Sequence, residues 1–273
     1  MEYAVITGAA SGMGKIYANS LALKGFGLCL IDINEKGLAE VERELQELLG
    51  TQCPRIIRLA QNLAEPEAAR KVAEQVKDLN VKILINNAGM IFTSSIEETP
   101  YARLSSMMML HMQTPLLLCH ELLPQLKANS GYILNISSIC AWMHWPAIGM
   151  YGNTKAFVKN YSRSLRIECR GSGLSVTTAY FGAVDTPLFG FSPKVRKTML
   201  RLGLMISPQK AVSKALGAME RRRRSITPGF LNKLATLFAP LLSERFLAFL
   251  YRKFKHLLEY MPSYLQVERL SKS

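Results

Sequence analysis

Three features of this 273-residue chain predict an α/β fold built on a doubly wound parallel sheet of about seven strands. Short β-rich runs alternate with longer helical patterns from the first residues to about residue 230. Runs such as Ile83-Leu84-Ile85 are apolar without alternation, as in strands buried on both faces. A glycine-rich turn follows the first strand and opens the first helix. With 49% hydrophobic and 20% charged residues, the chain can bury a core and is not a disordered polymer.

Taken in order, the strands are expected at 3–7, 27–32, 55–60, 82–86, 131–136 and 174–180, with a seventh at 225–227. Helical patterns lie between them at 13–24, 35–49, 66–79, 100–127, 150–170 and 208–220. No repeat or low-complexity linker interrupts them, so residues 1–229 read as one domain. Beyond it, 230–242 and 243–261 read as two amphipathic helices, broken at Pro240 and capped by Ser243. Residues 230–273 are expected to form a basic helical appendage rather than a second domain.

The formal net charge of +14 is unevenly distributed. Residues 1–193 hold 17 Lys+Arg and 16 Asp+Glu, whereas residues 194–273 hold 17 and 4. This excludes a uniformly basic nucleic-acid coat, and the tail has no recognised reading motif, so no nucleic-acid partner is expected. The five cysteines (29, 53, 119, 140, 169) form no CxxC pair, which argues against zinc and against a disulfide framework. No metal ligands are assigned. A reducing cytoplasm is expected, since the N-terminus enters a strand at once and lacks a signal-peptide pattern. The tract 231–250 is interrupted by Lys233, Glu244 and Arg245, which makes it a poor spanning helix. The protein is therefore expected to be soluble or surface-bound.

The turn reads Thr7-Gly8-Ala9-Ala10-Ser11-Gly12-Met13-Gly14. Gly12 and Gly14 let backbone approach a pyrophosphate, and the helix start adds free N–H groups and a favourable dipole. Gly8, Ser11, Gly12, Met13 and Gly14 are the expected phosphate turn. Asp32 ends the second strand, where a carboxylate accepts hydrogen bonds from ribose hydroxyls and repels a 2′-phosphate. It favours NAD(H). Lys15 is a weak counter-signal, so NADP(H) is not excluded.

Ser138, Tyr151 and Lys155 carry the expected chemistry. Tyr151 and Lys155 are four apart at a helix start and share a face. Reducing a ketone builds charge on oxygen and needs a proton donor; the reverse needs a base. A phenol with an ordinary pKa near 10 is a poor base at neutral pH, and an adjacent ammonium stabilises its anion. A serine hydroxyl can hold the reacting oxygen.

TGxxxGxG, Asn86-Asn87-Ala88-Gly89 after the fourth strand, and Ser138 thirteen residues before YxxxK together resemble the short-chain dehydrogenase/reductase family across about 190 residues. The resemblance implies a Rossmann-like fold and a CH-OH oxidoreductase using a nicotinamide dinucleotide. It selects Ser138 over Ser137. It also implies cofactor contacts at Asn62, Leu63, Asn87, Ala88, Gly89 and Thr186, besides Tyr151 and Lys155. Asn62 stands where an aspartate is usual, and Phe181 replaces the usual proline. His111 occupies the place of an asparagine in a proton relay through the lysine. It is taken as a catalytic candidate, because imidazole can orient water or exchange a proton.

Residues 187–206 match the family's mobile substrate cover. Leu188, Phe189, Phe191, Met199, Leu200, Leu204, Met205 and Ile206, with Trp142, Met143 and Trp145, point to a lipophilic ketone or alcohol. A 3-keto long-chain lipid, a sphingoid or a steroid-like compound fits. Arg221–224 and the basic helices behind them suit peripheral contact with an anionic membrane through 221–261, on the inner face. Family resemblance also implies a homo-oligomer built on the helices near 100–127 and 150–170. The alternative to an enzyme is a dinucleotide-binding regulatory protein with little or no turnover, which the His111 substitution keeps open.

Overall fold

The structure, a computed structural model, describes residues 1–146, 148–186 and 193–259, with 254–259 as backbone only. Strands β1 (Glu2–Thr7), β2 (Gly27–Asp32), β3 (Ile56–Ala60), β4 (Asn80–Asn86), β5 (Tyr132–Ser138) and β6 (Ser175–Phe181) alternate with helices. The helices are α1 (Gly12–Ala22), α2 (Glu35–Leu49), α3 (Ala68–Val76), α4 (Tyr101–Met108), α5 (Thr114–Ala128) and α6 (Gly149–Glu168). Two short strands, β7 (Ala183–Val184) and β8 (Met205–Ile206), flank α7 (Pro193–Arg201). Next come α8 (Pro208–Glu220), β9 (Ser225–Ile226), α9 (Phe230–Phe238) and α10 (Glu244–Glu259).

The main sheet has seven parallel strands in the order β3-β2-β1-β4-β5-β6-β9. Chain direction across the sheet reverses between β1 and β4, which opens a crevice at their C-terminal ends. Two apolar layers sandwich the sheet. Tyr17, Leu21, Leu38, Val41, Val212 and Leu216 from α1, α2 and α8 cover one face. Val72, Val76, Leu118, Leu122 and Leu126 from α3 and α5 cover the other, with Tyr161 and Leu165 of α6. Ile83 and Ile85 enter the first layer and Leu84 the second, which is why that run is apolar at every position.

The helical pattern 100–127 is not one continuous α-helix. A π-turn at Met109–Gln113 separates α4 from α5. Pro115 follows it and has no N–H to offer the His111 carbonyl, so the backbone widens where an α-helical bond cannot form. The side chain of His111 is thereby buried at the break.

Of the expected cover, 187–192, including Leu188, Phe189 and Phe191, lies outside the described residues. The rest is more solvated than its apolar reading implies. No residue of α7 is buried, and Leu202 and Leu204 are exposed, whereas Met205 is buried. The segment is tethered at both ends: β7 pairs with β8, and Arg196 forms an ion pair with Asp185. The tail does touch the core. Asn232 on α9 packs against Gly182 and donates to the Pro228 carbonyl at 2.7 Å. The tail beyond residue 259 lies outside the described residues.

Candidate active site

The glycine turn occupies the crevice beside β1. A Cβ on Gly14 would stand 1.8 Å from the Gly8 carbonyl oxygen, so only glycine lets α1 start so close to the strand end. Ser11 is the extended N-cap of α1, and its side chain makes no capping hydrogen bond. The first-turn N–H groups thus receive no side-chain cap, which fits a pyrophosphate there. Thr186 faces Gly12 across the turn.

Asn87 and Ala88 are fastened to this turn. Thr7 Oγ1 accepts from Asn87 N at 2.9 Å and from Ala88 N at 3.0 Å, and donates to the Ile85 carbonyl. Asn87 Nδ2 donates to the Thr7 and Gly8 carbonyls. At the end of β2, Asp32 accepts from Ala10 N through one oxygen and from Asn34 N through the other, both at 3.0 Å. Its carboxylate is fixed at the rim of the turn. Lys15 is ion-paired with Glu44 at 2.7 Å.

Asn62 lies past the end of β3 and accepts from Ala64 N at 3.0 Å. The Leu63 side chain is in the core, and its carbonyl accepts from Thr114 Oγ1 at 2.7 Å. Of these two, Asn62 is the better placed to present a side chain to a ligand.

A cavity of about 70 Å3 brings Met13, Asn87, Gly89, Tyr151, Lys155 and Thr186 together. The Ser138 hydroxyl donates to the Phe181 carbonyl at 3.2 Å and accepts from Cys140 N at 3.2 Å. Ser137 lines the cavity, and its hydroxyl donates to the Lys155 carbonyl at 2.9 Å. Lys155 Nζ donates to the Ile136 carbonyl at 3.1 Å and lies 5.7 Å from the centre of the Tyr151 ring.

Burial dominates the electrostatics here. It pushes the Tyr151 phenol above its ordinary value, with the Ser138 hydroxyl opposing. It lowers the Lys155 ammonium to about 8. The sequence-level expectation that Lys155 depresses the Tyr151 pKa is therefore outweighed in this structure, because desolvation acts on both groups at once.

His111 is held by both ring nitrogens. Nε2 accepts from Met90 N at 2.9 Å, and Nδ1 lies 2.9 Å from Thr154 Oγ1. Thr154 spends its proton on the Tyr151 carbonyl, so Nδ1 carries the hydrogen. Burial, reinforced by the Lys155 charge, holds the imidazole pKa well below its ordinary value. The ring is a neutral strut between the loop after β4 and the start of α6. Its nitrogens are not free for the proton exchange expected from the sequence.

Several participants were not singled out from the sequence. Asn86 Nδ2 donates to Asn135 Oδ1, and Asn135 Nδ2 to Ser162 Oγ, both at 2.8 Å, in a buried chain beneath the cavity. Asn135 interrupts an otherwise apolar strand, and that was the available signal. Cys140, with Phe92, Met90, Ile91 and Met150, forms an apolar wall against Tyr151. Trp142 does not join that wall: its ring packs edge-on against Tyr180 at 4.5 Å and beneath Lys159. Among the described residues no group of three or more His, Cys, Asp or Glu is placed to hold a metal ion.

Two outcomes follow from this electrostatic arrangement. Lys155 is charged in both the folded and the unfolded chain at pH 7, but only the fold desolvates it. The penalty is roughly 3 kcal/mol, and stability from this group rises as pH passes from about 8 to the unfolded value near 10.5. Lys155→Met should therefore melt higher than wild type at pH 7, with the margin shrinking by pH 10 in calorimetry. For His111, nitrogen NMR should show the neutral Nδ1–H form throughout pH 5–8. His111→Ala should lower unfolding free energy by ~2–4 kcal/mol, since it removes two buried hydrogen bonds and leaves a cavity.

Residues 2–196 match the family model described as short chain dehydrogenase. A very-long-chain 3-oxoacyl-CoA reductase of Pyricularia oryzae is 30% identical over 178 residues, covering 64% of this chain and 54% of the relative. The 17-beta-hydroxysteroid dehydrogenase type 3 of Mus musculus is 29% identical over 205 residues, 72% of this chain and 65% of the relative. The chain thus spans between about half and two thirds of the length of these curated relatives. Among solved structures, a short-chain dehydrogenase from Sphingobium yanoikuyae in complex with NADPH superposes with a TM-score of 0.74 at 24% identity. That match covers 98% of this chain and 100% of the other. With its seven-stranded parallel sheet, its glycine turn and the matched 195 residues, the chain belongs to the short chain dehydrogenase family.

Proposed function

We propose that the protein is an NAD(P)(H)-dependent oxidoreductase that interconverts a secondary alcohol and a ketone on a lipophilic substrate. The observation that carries this reading is the meeting of Tyr151 and Lys155 with Met13 and Thr186 in one cavity, with Ser138 at the end of the strand that lines it. Gly8, Ser11, Gly12, Met13 and Gly14 would hold the pyrophosphate, with Asp32 at the ribose and Asn87, Thr186, Tyr151 and Lys155 toward the nicotinamide. When bound, the nicotinamide supplies or accepts the hydride.

Ser138 holds the reacting oxygen through its hydroxyl. Tyr151 delivers a proton to that oxygen in reduction and removes it in oxidation. Burial keeps the phenol protonated at neutral pH, which is the form a donor needs. Lys155 supplies positive charge beside it, and its Ile136 hydrogen bond fixes where that charge sits. His111 contributes by holding Met90 and Thr154 in place.

The lipophilic substrate class rests on the wall of Phe92, Met90, Ile91, Cys140 and Met150 and on the likeness to a very-long-chain 3-oxoacyl-CoA reductase and a 17-beta-hydroxysteroid dehydrogenase. A 3-keto long-chain lipid, sphingoid or steroid-like ketone is the proposed substrate. Preference for NAD(H) rests on Asp32, anchored beside the turn, and on Lys15, which is committed to Glu44. Tyr151→Phe should lower kcat by ~10²–10⁴-fold with NADH affinity retained, and Asp32→Ala should shift preference toward NADPH. Turnover of Tyr151→Phe at the wild-type rate on a panel of long-chain and steroidal ketones defeats the mechanism. Wild type favouring NADPH defeats the cofactor assignment.

Peripheral membrane contact through the tail is part of the same proposal. Phe230, Leu237, Phe238 and Leu241 are between 55% and 75% exposed, with Lys233, Arg245 and Arg252 beside them. Among the described residues no single helix is long and apolar enough to cross a membrane; 230–241 and 244–253 pass such a test only as a pair bent by 112°. Exposed aromatic and aliphatic side chains flanked by cations suit the interface of an anionic bilayer. Serine at Phe230, Phe238 and Leu241 should reduce flotation with anionic vesicles by about tenfold or more. Unchanged flotation would reassign this surface to subunit contact.

A further inference from the structure

The C-terminal half of α6, the edge of β6 and the segment leading into β9 enclose a groove of about 740 Å3. It shares no residue with the cavity at Tyr151. Five of its lining residues are arginines: Arg163, Arg166 and Arg170 from α6 and its end, and Arg222 and Arg224 from the segment before β9. No aspartate or glutamate lines it, and no ion pair among the described residues includes any of the five.

Neutral groups hold two of these guanidinium groups, those of Arg166 and Arg222, in place. Arg166 donates to the Val176 carbonyl at 2.6 Å, to Ser175 Oγ at 3.3 Å and to the Arg222 carbonyl at 2.7 Å. Arg222 donates to the Gly173 and Ser130 carbonyls and lies 4.9 Å over the Tyr132 ring. Such anchors orient the positive groups without neutralising them. Crowding is physical: the charges of Arg222 and Arg224, after burial, push the Arg166 pKa down. Arg222 also stands just past α8 with φ of +51°, a left-handed position that glycine usually takes. The chain accepts an arginine there, and the result is one more cation at the groove.

A concave, carboxylate-free site with several oriented guanidinium forks matches a phosphate group, whose oxygens take paired N–H donors and whose charge relieves the repulsion. We propose that this groove binds a phosphate group, carried either by a soluble phosphate ester or by a lipid headgroup. Arginines 163, 170, 222 and 224 are exposed at the groove, and the partly buried Arg166 shapes its floor.

The test is calorimetric titration of the full chain with inorganic phosphate and pyrophosphate at constant ionic strength. Wild type is compared with the triple variant Arg163→Gln, Arg170→Gln, Arg224→Gln. These side chains are exposed, and NADH affinity and ketone turnover should be unchanged. Phosphate binding should weaken by about tenfold or more. Because the variant leaves the glycine turn intact, the difference reports the groove alone. Flotation with phosphatidylcholine vesicles containing phosphatidic acid then distinguishes the source. Reduced capture of the variant assigns a lipid headgroup, and equal capture with lost phosphate binding assigns a soluble ester; either supports the site. Equal phosphate affinity in wild type and variant overturns it. So does a variant that changes only the oligomeric state, which would make the groove a subunit contact.

Discussion

The hydroxyl of Thr7 binds the loop after β4 to the loop after β1, and the rest of the site is built on that junction. Its oxygen takes two backbone N–H groups, from Asn87 and Ala88, while its proton goes to Ile85. Glycine makes the approach sterically feasible: a Cβ on Gly8 would fall 2.8 Å from Ala88 Cα. The junction closes the crevice where the sheet reverses direction, and it sets the distance between the glycine turn and the Gly89–Met90 backbone. From there His111 carries the constraint onward to Thr154, and thus to the helix that bears Tyr151 and Lys155. The glycine turn and the Tyr151–Lys155 pair are held in one frame by a short series of hydrogen bonds.

That frame places two ionisable groups at the wall of a small cavity, with little surface left exposed. Tyr151 and Lys155 are both nearly buried, and desolvation drives each toward its neutral form. A protonated phenol thus stands near a lysine that still carries its charge at pH 7. The cost falls on stability, which is a recurrent feature of sites that hold charge in place before the chemistry begins. Asn86, Asn135 and Ser162 beneath the cavity show the same economy, because a buried polar chain fixes β4, β5 and α6 in one arrangement only when its donors are satisfied.

The charge asymmetry separates into two surfaces. Body residues 1–193 are almost neutral, while 194–273 carry the excess. Part of that excess accompanies exposed aromatic side chains on α9 and α10. Another part, at Arg222 and Arg224, lines a groove with Arg163 and Arg166 of α6 and Arg170 just past its end. Proximity in sequence suggested one basic appendage, whereas the tertiary contacts divide it.

Local pattern was enough for the sheet, the order of elements, the glycine turn and the YxxxK face, since each depends on near neighbours and on the burial of continuous apolar runs. Boundaries shifted by a residue or two, as strand ends do when pairing partners decide them. The break at Met109–Gln113 was written in Pro115, but what it exposes or buries was not. Only the folded chain decided that the Ser137 hydroxyl is spent on the Lys155 carbonyl, that Trp142 packs against Tyr180, and that His111 is a neutral strut. These outcomes depend on groups far apart in sequence, 21 residues for His111 and Met90 and 43 for His111 and Thr154. The sequence determined which residues could take part. Burial and long-range hydrogen bonds decided which atoms were left free to do so.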